Sequence, residues 1–222
     1  MAIDRIYLKP SSPKLFDKPI QDLQQTLASK CLWIDHAFGR CERLVKEVDG
    51  RRQYTPNVYA GKDEYILLTP DNTELGNYCF FVREEPEQIV ANMGIQNRLR
   101  APFSLVVWVD MRTFEDSDER DVYALEQQVM DAIGTPAAIR HGGMTVTRIY
   151  HKAENVFDGF SLDEVDNQFL MSPFYGIRVQ MELWVDEECN VEEPKPEPEP
   201  TTDPEPEPDP DVNDNVNDND NG

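Results

Sequence analysis

The chain has 222 residues, 39% of them hydrophobic and 29% charged, and its 43 Asp and Glu against 21 Lys and Arg give a formal net charge of −22. Such a balance argues against a reader of nucleic-acid sequence or an anionic-membrane binder, because both need clustered Lys and Arg that displace counterions. The longest apolar run, residues 105–109, is far too short to span a bilayer.

The opening IDRIYLK, residues 3–9, alternates apolar and polar side chains and reads as a short strand ended by Pro10 and Pro13. It lacks the apolar stretch of a signal peptide, so none is expected. Asp17 is placed to cap a helix that carries Pro19 in its first turn, where a missing N–H does no harm. Ile20, Leu23 and Leu27 recur at helical spacing, and that helix is expected to end near Lys30.

Residues 43–48 and 51–59 flank Asp49-Gly50, a pair that tolerates the positive φ of a tight hairpin. Pro56 is expected to confine the second strand to an edge or a bulge. Residues 64–69 and 78–83 read as another strand pair around the polar loop 70–77. Residues 40–90 are thus expected to form an antiparallel β-hairpin-rich insertion in an α+β frame.

Residues 103–114 (FSLVVWVDMRTF) carry the strongest strand pattern, and their continuous apolar start predicts a central position. Ser117 is expected to cap the next helix, with Asp118 and Glu119 in its first turn and Val122, Leu125, Val129 and Ile133 as its buried stripe. Gly134 and Pro136 stop it. Residues 145–157 predict a further strand, and Ser161-x-x-Glu164 reads as a capping box opening a short helix with Leu162, Val165 and Phe169 on one side. After Pro173, residues 175–185 alternate: Ile177, Val179, Met181, Leu183 and Val185 face one way, and Arg178, Gln180, Glu182 and Trp184 the other. The fold class expected is α+β, a small mixed or antiparallel sheet packed against two main helices.

From Asn190 the composition changes. Eight of the chain's 17 prolines alternate there with acidic residues, and 12 acids stand against the single base Lys195. That segment carries −11; the remaining 20 bases and 31 acids carry another −11. Without large apolar side chains it cannot offset the entropy of ordering, so residues 190–222 are expected to be a disordered acidic tail, polyproline II first and then coil. Residues 1–189 are expected to hold one core.

Chemical motifs are weak. Cys31, Cys41, Cys79 and Cys189 contain no C-x-x-C pair and suggest neither zinc nor redox chemistry; four cysteines can pair in principle, but a reduced, intracellular setting is the expectation. Asp35-His36 has half of a relay and His151 lies near Glu154, yet no nucleophile has a recognisable context. Asp116, Asp118, Glu119 and Asp121 are explained by a helix start without a metal. Gly142-Gly143 follows a helix and precedes a strand, the reverse of a phosphate loop, and reads as a flexible connection. Residues 211–222 mimic the first half of a calcium loop without its bidentate Glu. Trp33, Trp108 and Trp184 with Phe80, Phe81, Phe103, Phe174 and Tyr175 are numerous enough to suggest a ligand pocket, but most sit in strands with alternating neighbours and core packing is the expectation. Trp184 falls on a polar face and suits an interface. No catalytic residue, cofactor or metal is expected.

The block from residue 145 to 185, a strand, a short helix with Phe169, then SPFYGIRVQMELWV, resembles the C-terminal half of phage tail terminator and tail-completion (head–tail joining) proteins. The preceding FSLVVWVDMRTF and DERDVYALEQQVMDAI are similar to that family's central strand and helix. The resemblance covers about residues 1–30 and 100–186; the β-rich segment and the acidic tail are additions to it. It implies a structural virion protein, not an enzyme, that assembles as a ring, typically a hexamer. The ring caps the tail tube and meets the tube protein on one face and the neck or connector protein on the other. It implies assembly in the host cytoplasm and a final place at the tail–neck junction. Trp184, Arg178, Tyr59, Phe174 and Tyr175 are the expected interface residues, and an acidic lumen would let DNA slide past. A competing reading makes the acidic tail the active part, binding a basic partner or mimicking nucleic acid; another is a metal-dependent hydrolase.

Overall fold

Residues 12–70, 75–92, 97–114, 121–135 and 138–186 are described by the computed structural model. The expected strand at 3–9, the Ser117 cap with Asp116, Asp118 and Glu119, Pro136, Cys189 and the acidic tail lie outside them. The chain divides into two units, Met1–Cys189 and Asn190–Gly222, and every described residue belongs to the first.

The elements run α1 (Asp17–Lys30), β1 (His36–Arg40), β2 (Glu42–Val48), β3 (Arg51–Gly61), β4 (Glu64–Leu67), β5 (Tyr78–Arg83), β6 (Gln88–Asn92), β7 (Asn97–Asp110), α2 (Met111–Phe114), α3 (Val122–Ile133), β8 (Gly143–Tyr150), α4 (Ala153–Val156), a 3₁₀ turn at Asn167–Leu170, and β9 (Phe174–Asp186). The fold is α+β and its main sheet is mostly antiparallel, in the order β1-β5-β7-β9-β8, with β6 beside the start of β7. Among the described residues only β1 and β5 pair in parallel. A second, three-stranded sheet has the order β2-β3-β4.

The apolar run at 105–109 becomes the middle of the main sheet because both its faces are covered. Leu105 and Val107 point into a core built with Ile20, Leu23 and Leu27 of α1 and Val129 and Ile133 of α3. Val106 and Trp108 point into a second core with Phe38, Val58, Phe80, Val156 and Phe157. Strand β5 divides the same way: Cys79 and Phe81 face the helices, and Tyr78 and Phe80 the second core. The sheet is therefore the middle of three layers, with the helices on one side and the small sheet plus the chain around α4 on the other. Strand β9 pairs with β7 from Arg98↔Asp186 to Asp110↔Phe174 and places Ile177, Val179, Met181, Leu183 and Val185 on the helix side, as its alternation predicts.

The β2–β3 hairpin closes at Asp49-Gly50, with φ of 50° and 74°, and its ladder opens with Val48↔Arg51. Pro56 lies in the central strand of the small sheet rather than at an edge. Its carbonyl accepts the Leu68 N–H at 2.9 Å, just past the last β4 pair, Asn57↔Leu67. A strand residue directs N–H and C=O to the same side, so the donor that proline lacks would face Leu68, whose carbonyl accepts from the Tyr78 hydroxyl at 3.0 Å instead.

Other boundaries differ from expectation. Asp17 is the first helical residue of α1, not its cap; Phe16 holds the cap position without a side-chain bond and is anchored on Phe103 at 5.4 Å, while Asp17 takes Arg40 Nε at 3.2 Å. Residues 64–69 and 78–83 do not pair: β4 joins β3, whereas β5 sits between β1 and β7. Strand β7 gives way to the helical turn α2 at Met111, and β8 ends at Tyr150 before the turn that buries Val156. Helix α3 is capped by Asp121, which accepts from Tyr123 and Ala124 N–H at 2.9 and 3.1 Å. The capping box at 161–164 does not form. The free side of β3 captures Ser161 instead, with Ser161 N–H donating to the Tyr54 carbonyl at 2.8 Å and Ser161 Oγ accepting from Tyr54 N–H at 3.1 Å. Glu164 pairs with Lys46, and Asp166 caps the 3₁₀ turn.

Candidate functional site

The five expected interface residues do not share one surface. Tyr59 is 47% exposed on β3, and its ring lies 5.3 Å from that of Tyr65; Val45, 56% exposed on β2, lies on the other face of the small sheet. Phe174 and Tyr175 open β9, and Trp184 lies about 30 Å further along that strand. Trp184 is half-buried because its indole covers Gly143, the first residue of β8. The Gly142-Gly143 pair is therefore a close-packing point rather than a flexible connection.

Arg178 corrects the interface expectation. It is 1% exposed, because the second core covers the face of β9 that alternation marks as polar. Its guanidinium donates to the Val156 and Asp158 carbonyls at 3.1 and 2.8 Å and pairs with Glu84, which also accepts from the Ser104 hydroxyl. This ion pair joins β9 to β5's exit and to the turn after α4, inside the protein.

A hydrogen-bonded polar constellation lies at the end of the main sheet where β5 and β9 begin and β7 ends. Asn77, 2% exposed, is its keystone. Its backbone N–H donates to Asp35 Oδ2 at 2.8 Å, and its side chain donates to the Trp33 carbonyl at 2.9 Å and Thr113 Oγ1 at 2.7 Å. Its Oδ1 accepts the Asp110 N–H at 2.8 Å. One buried amide thus fixes three chain segments, and nothing in its sequence context singles it out. Next to it opens a cleft of about 250 Å³ lined by Asp35, Tyr78, Trp108, Asp110, Arg112 and Phe174, among others. The Trp108 and Phe174 rings are nearly parallel with centroids 6.5 Å apart, and Phe169 meets Phe174 edge-on at 5.4 Å. Arg112 Nε and Nη2 donate to Asp110 at 2.9 and 2.6 Å, and the guanidinium lies 5.8 Å over Phe174. A second concavity lined by Phe169, Met171, Pro173 and Phe174 adjoins it.

His36, His151 and the three described cysteines sit away from this cleft's lining. His36, 5% exposed, stacks on Phe38 at 5.7 Å, and burial pulls its pKa down against the opposing effect of Asp35. His151 lies 3.0 Å from the Tyr175 hydroxyl and 3.8 Å from Glu126 rather than beside Glu154. Cys31, Cys41 and Cys79 are buried free thiols; burial pushes the first two up to about 11 and about 12 and the third higher still. Thiols so poor in thiolate are weak nucleophiles. Among the described residues no group of three or more His, Cys, Asp or Glu is placed to hold a metal ion, and no helix is long and apolar enough to cross a membrane.

What the fold and this site define is an α+β protein with a central sheet covered on both faces and an aromatic cleft with paired carboxylates at one sheet end. No protein-family model and no curated protein matches the chain.

Proposed function

We propose that the chain is a non-enzymatic virion assembly protein, which closes into a ring that caps a phage tail tube and joins it to the neck. The carrying observation is the small sheet: β2 and β4 are its edge strands, Tyr59 and Tyr65 are exposed side by side across β3 and β4, and Val45 is exposed on β2 on the other face, in a protein of strong net charge. Exposed apolar side chains next to an open strand edge favour association, and a closed ring hides such edges. The tail tube protein and the neck protein are the neighbours this reading requires, and the tail–neck junction is its location.

Native mass spectrometry with negative-stain imaging of the full chain tests it. A closed ring with a central hole, alone or on tail-tube protein, is expected. A monomer that also fails to bind tail-tube protein sinks the reading and moves it to the acidic tail.

A further inference from the structure

We propose that the cleft at the sheet end receives an arginine side chain from a partner protein, in the place that Arg112 holds against Asp110 and Phe174. This stands independently of ring assembly.

Four observations converge on that occupant. The cleft itself, about 250 Å³, has room for one long side chain, and the adjoining concavity of about 530 Å³ leaves space for the partner's flanking chain. The walls are aromatic, and a guanidinium already lies 5.8 Å over Phe174, so this ring face is positioned for a planar cation. Two carboxylates, Asp35 and Asp110, line the cleft against one guanidinium, which leaves a negative excess in a chain of −22. Both acids are positioned beforehand: the Asn77 N–H holds the Asp35 carboxylate, Asn77 Oδ1 fixes the Asp110 backbone, and the Asp110 carboxylate accepts the Arg112 backbone N–H at 3.0 Å, which stays when the guanidinium leaves. Preorganised acceptors favour the fork of arginine over the point charge of lysine.

Arg112 itself is the displaceable group. Its side chain is 61% exposed, so water screens its ion pair and competes for it, and little holds it in place. Exchanging one guanidinium for another at Asp110 is nearly neutral, and the incoming arginine adds Asp35 and the aromatic lining of the cleft.

The test is a titration of the full chain with acetyl-Gly-Arg-Gly-amide and with the same peptide carrying citrulline, an uncharged mimic of arginine, followed by NMR shifts. Saturable binding of the arginine peptide is expected, with the citrulline peptide about tenfold weaker. Asp35→Asn should weaken the arginine peptide by a similar factor. Arg112→Ala, at an exposed position that should fold normally, should tighten it by removing the competitor. Equal binding of the two peptides overturns the proposal, as does no binding of either. Unchanged or weakened binding in Arg112→Ala overturns it as well, whether or not Asp35→Asn folds.

Discussion

Asp22 shows how much a single side chain organises. It is 4% exposed on α1 and accepts from the backbone N–H groups of Arg140 and His141 at 2.8 and 3.1 Å and from Arg140 Nε and Nη2 at 3.1 and 2.9 Å; His141 Nδ1 lies 2.9 Å away. Burial pushes its carboxyl up, but the Arg140 and His141 hydrogen bonds outweigh burial and hold it below its usual value. The folded protein therefore binds this proton less readily than the unfolded chain. The stabilisation is complete above the unfolded value near pH 4 and is lost as pH falls through the lower folded value. Asp22→Asn should cost about 1–3 kcal/mol near neutral pH in urea unfolding, because it weakens charge-assisted hydrogen bonds but leaves Arg140 open to water. The loss should shrink as the pH is lowered below about 4, where the native carboxyl protonates; a pH-independent loss would refute the charge-based account. None of this was legible, because the partners lie 118 and 119 residues downstream. The burial of Arg178 has a related origin: alternation gives the face of a strand, not whether another layer covers it.

Two glycines separate backbone strain from crowding. At Gly50, with φ of 74°, an added Cβ meets nothing within 4 Å, so Gly50→Ala should cost only the left-handed conformation, about 1–2 kcal/mol. At Gly142, with φ of 99°, the Cβ would run into the Trp184 carbonyl oxygen, so overpacking adds to the strain and Gly142→Ala should cost about 3 kcal/mol or more. Denaturant unfolding of the two variants tests the ordering; equal losses would mean that β9 yields to the new methyl. The turn at 49–50 was legible because its signal is local. The failure of the capping box at Ser161 has the opposite origin, since the unpaired side of β3 offers that hydroxyl a backbone partner no neighbouring residue reveals.

For the whole molecule, charge and open edges set the behaviour. Removing residues 190–222 takes the net charge from −22 to −11. If folding rests on the described layers, the unfolding free energy of the shortened chain should stay within about 0.5 kcal/mol of the full one, and ring assembly should survive. Loss of assembly alone would assign the activity to the tail. Tyr59→Glu places a charge at an exposed site, so it should leave thermal unfolding nearly unchanged while blocking association in native mass spectrometry. Rings that persist in this variant would move the subunit contact away from the small sheet.

The sequence by itself determined the elements whose signals are local: the apolar stripes of α1 and α3, the Asp49-Gly50 hairpin, the central run of β7 and the inward face of β9. Periodicity reports which side of an element must leave water, and turn residues report permitted φ. Only the tertiary structure decided that β4 and β5 belong to different sheets, that β1 and β6 are strands at all, that Arg178 is buried, and that Asn77 ties the cleft together. Those outcomes follow from long-range pairing and from covering both faces of one sheet. Their energetics depend on residues far apart in the chain, which no local pattern records.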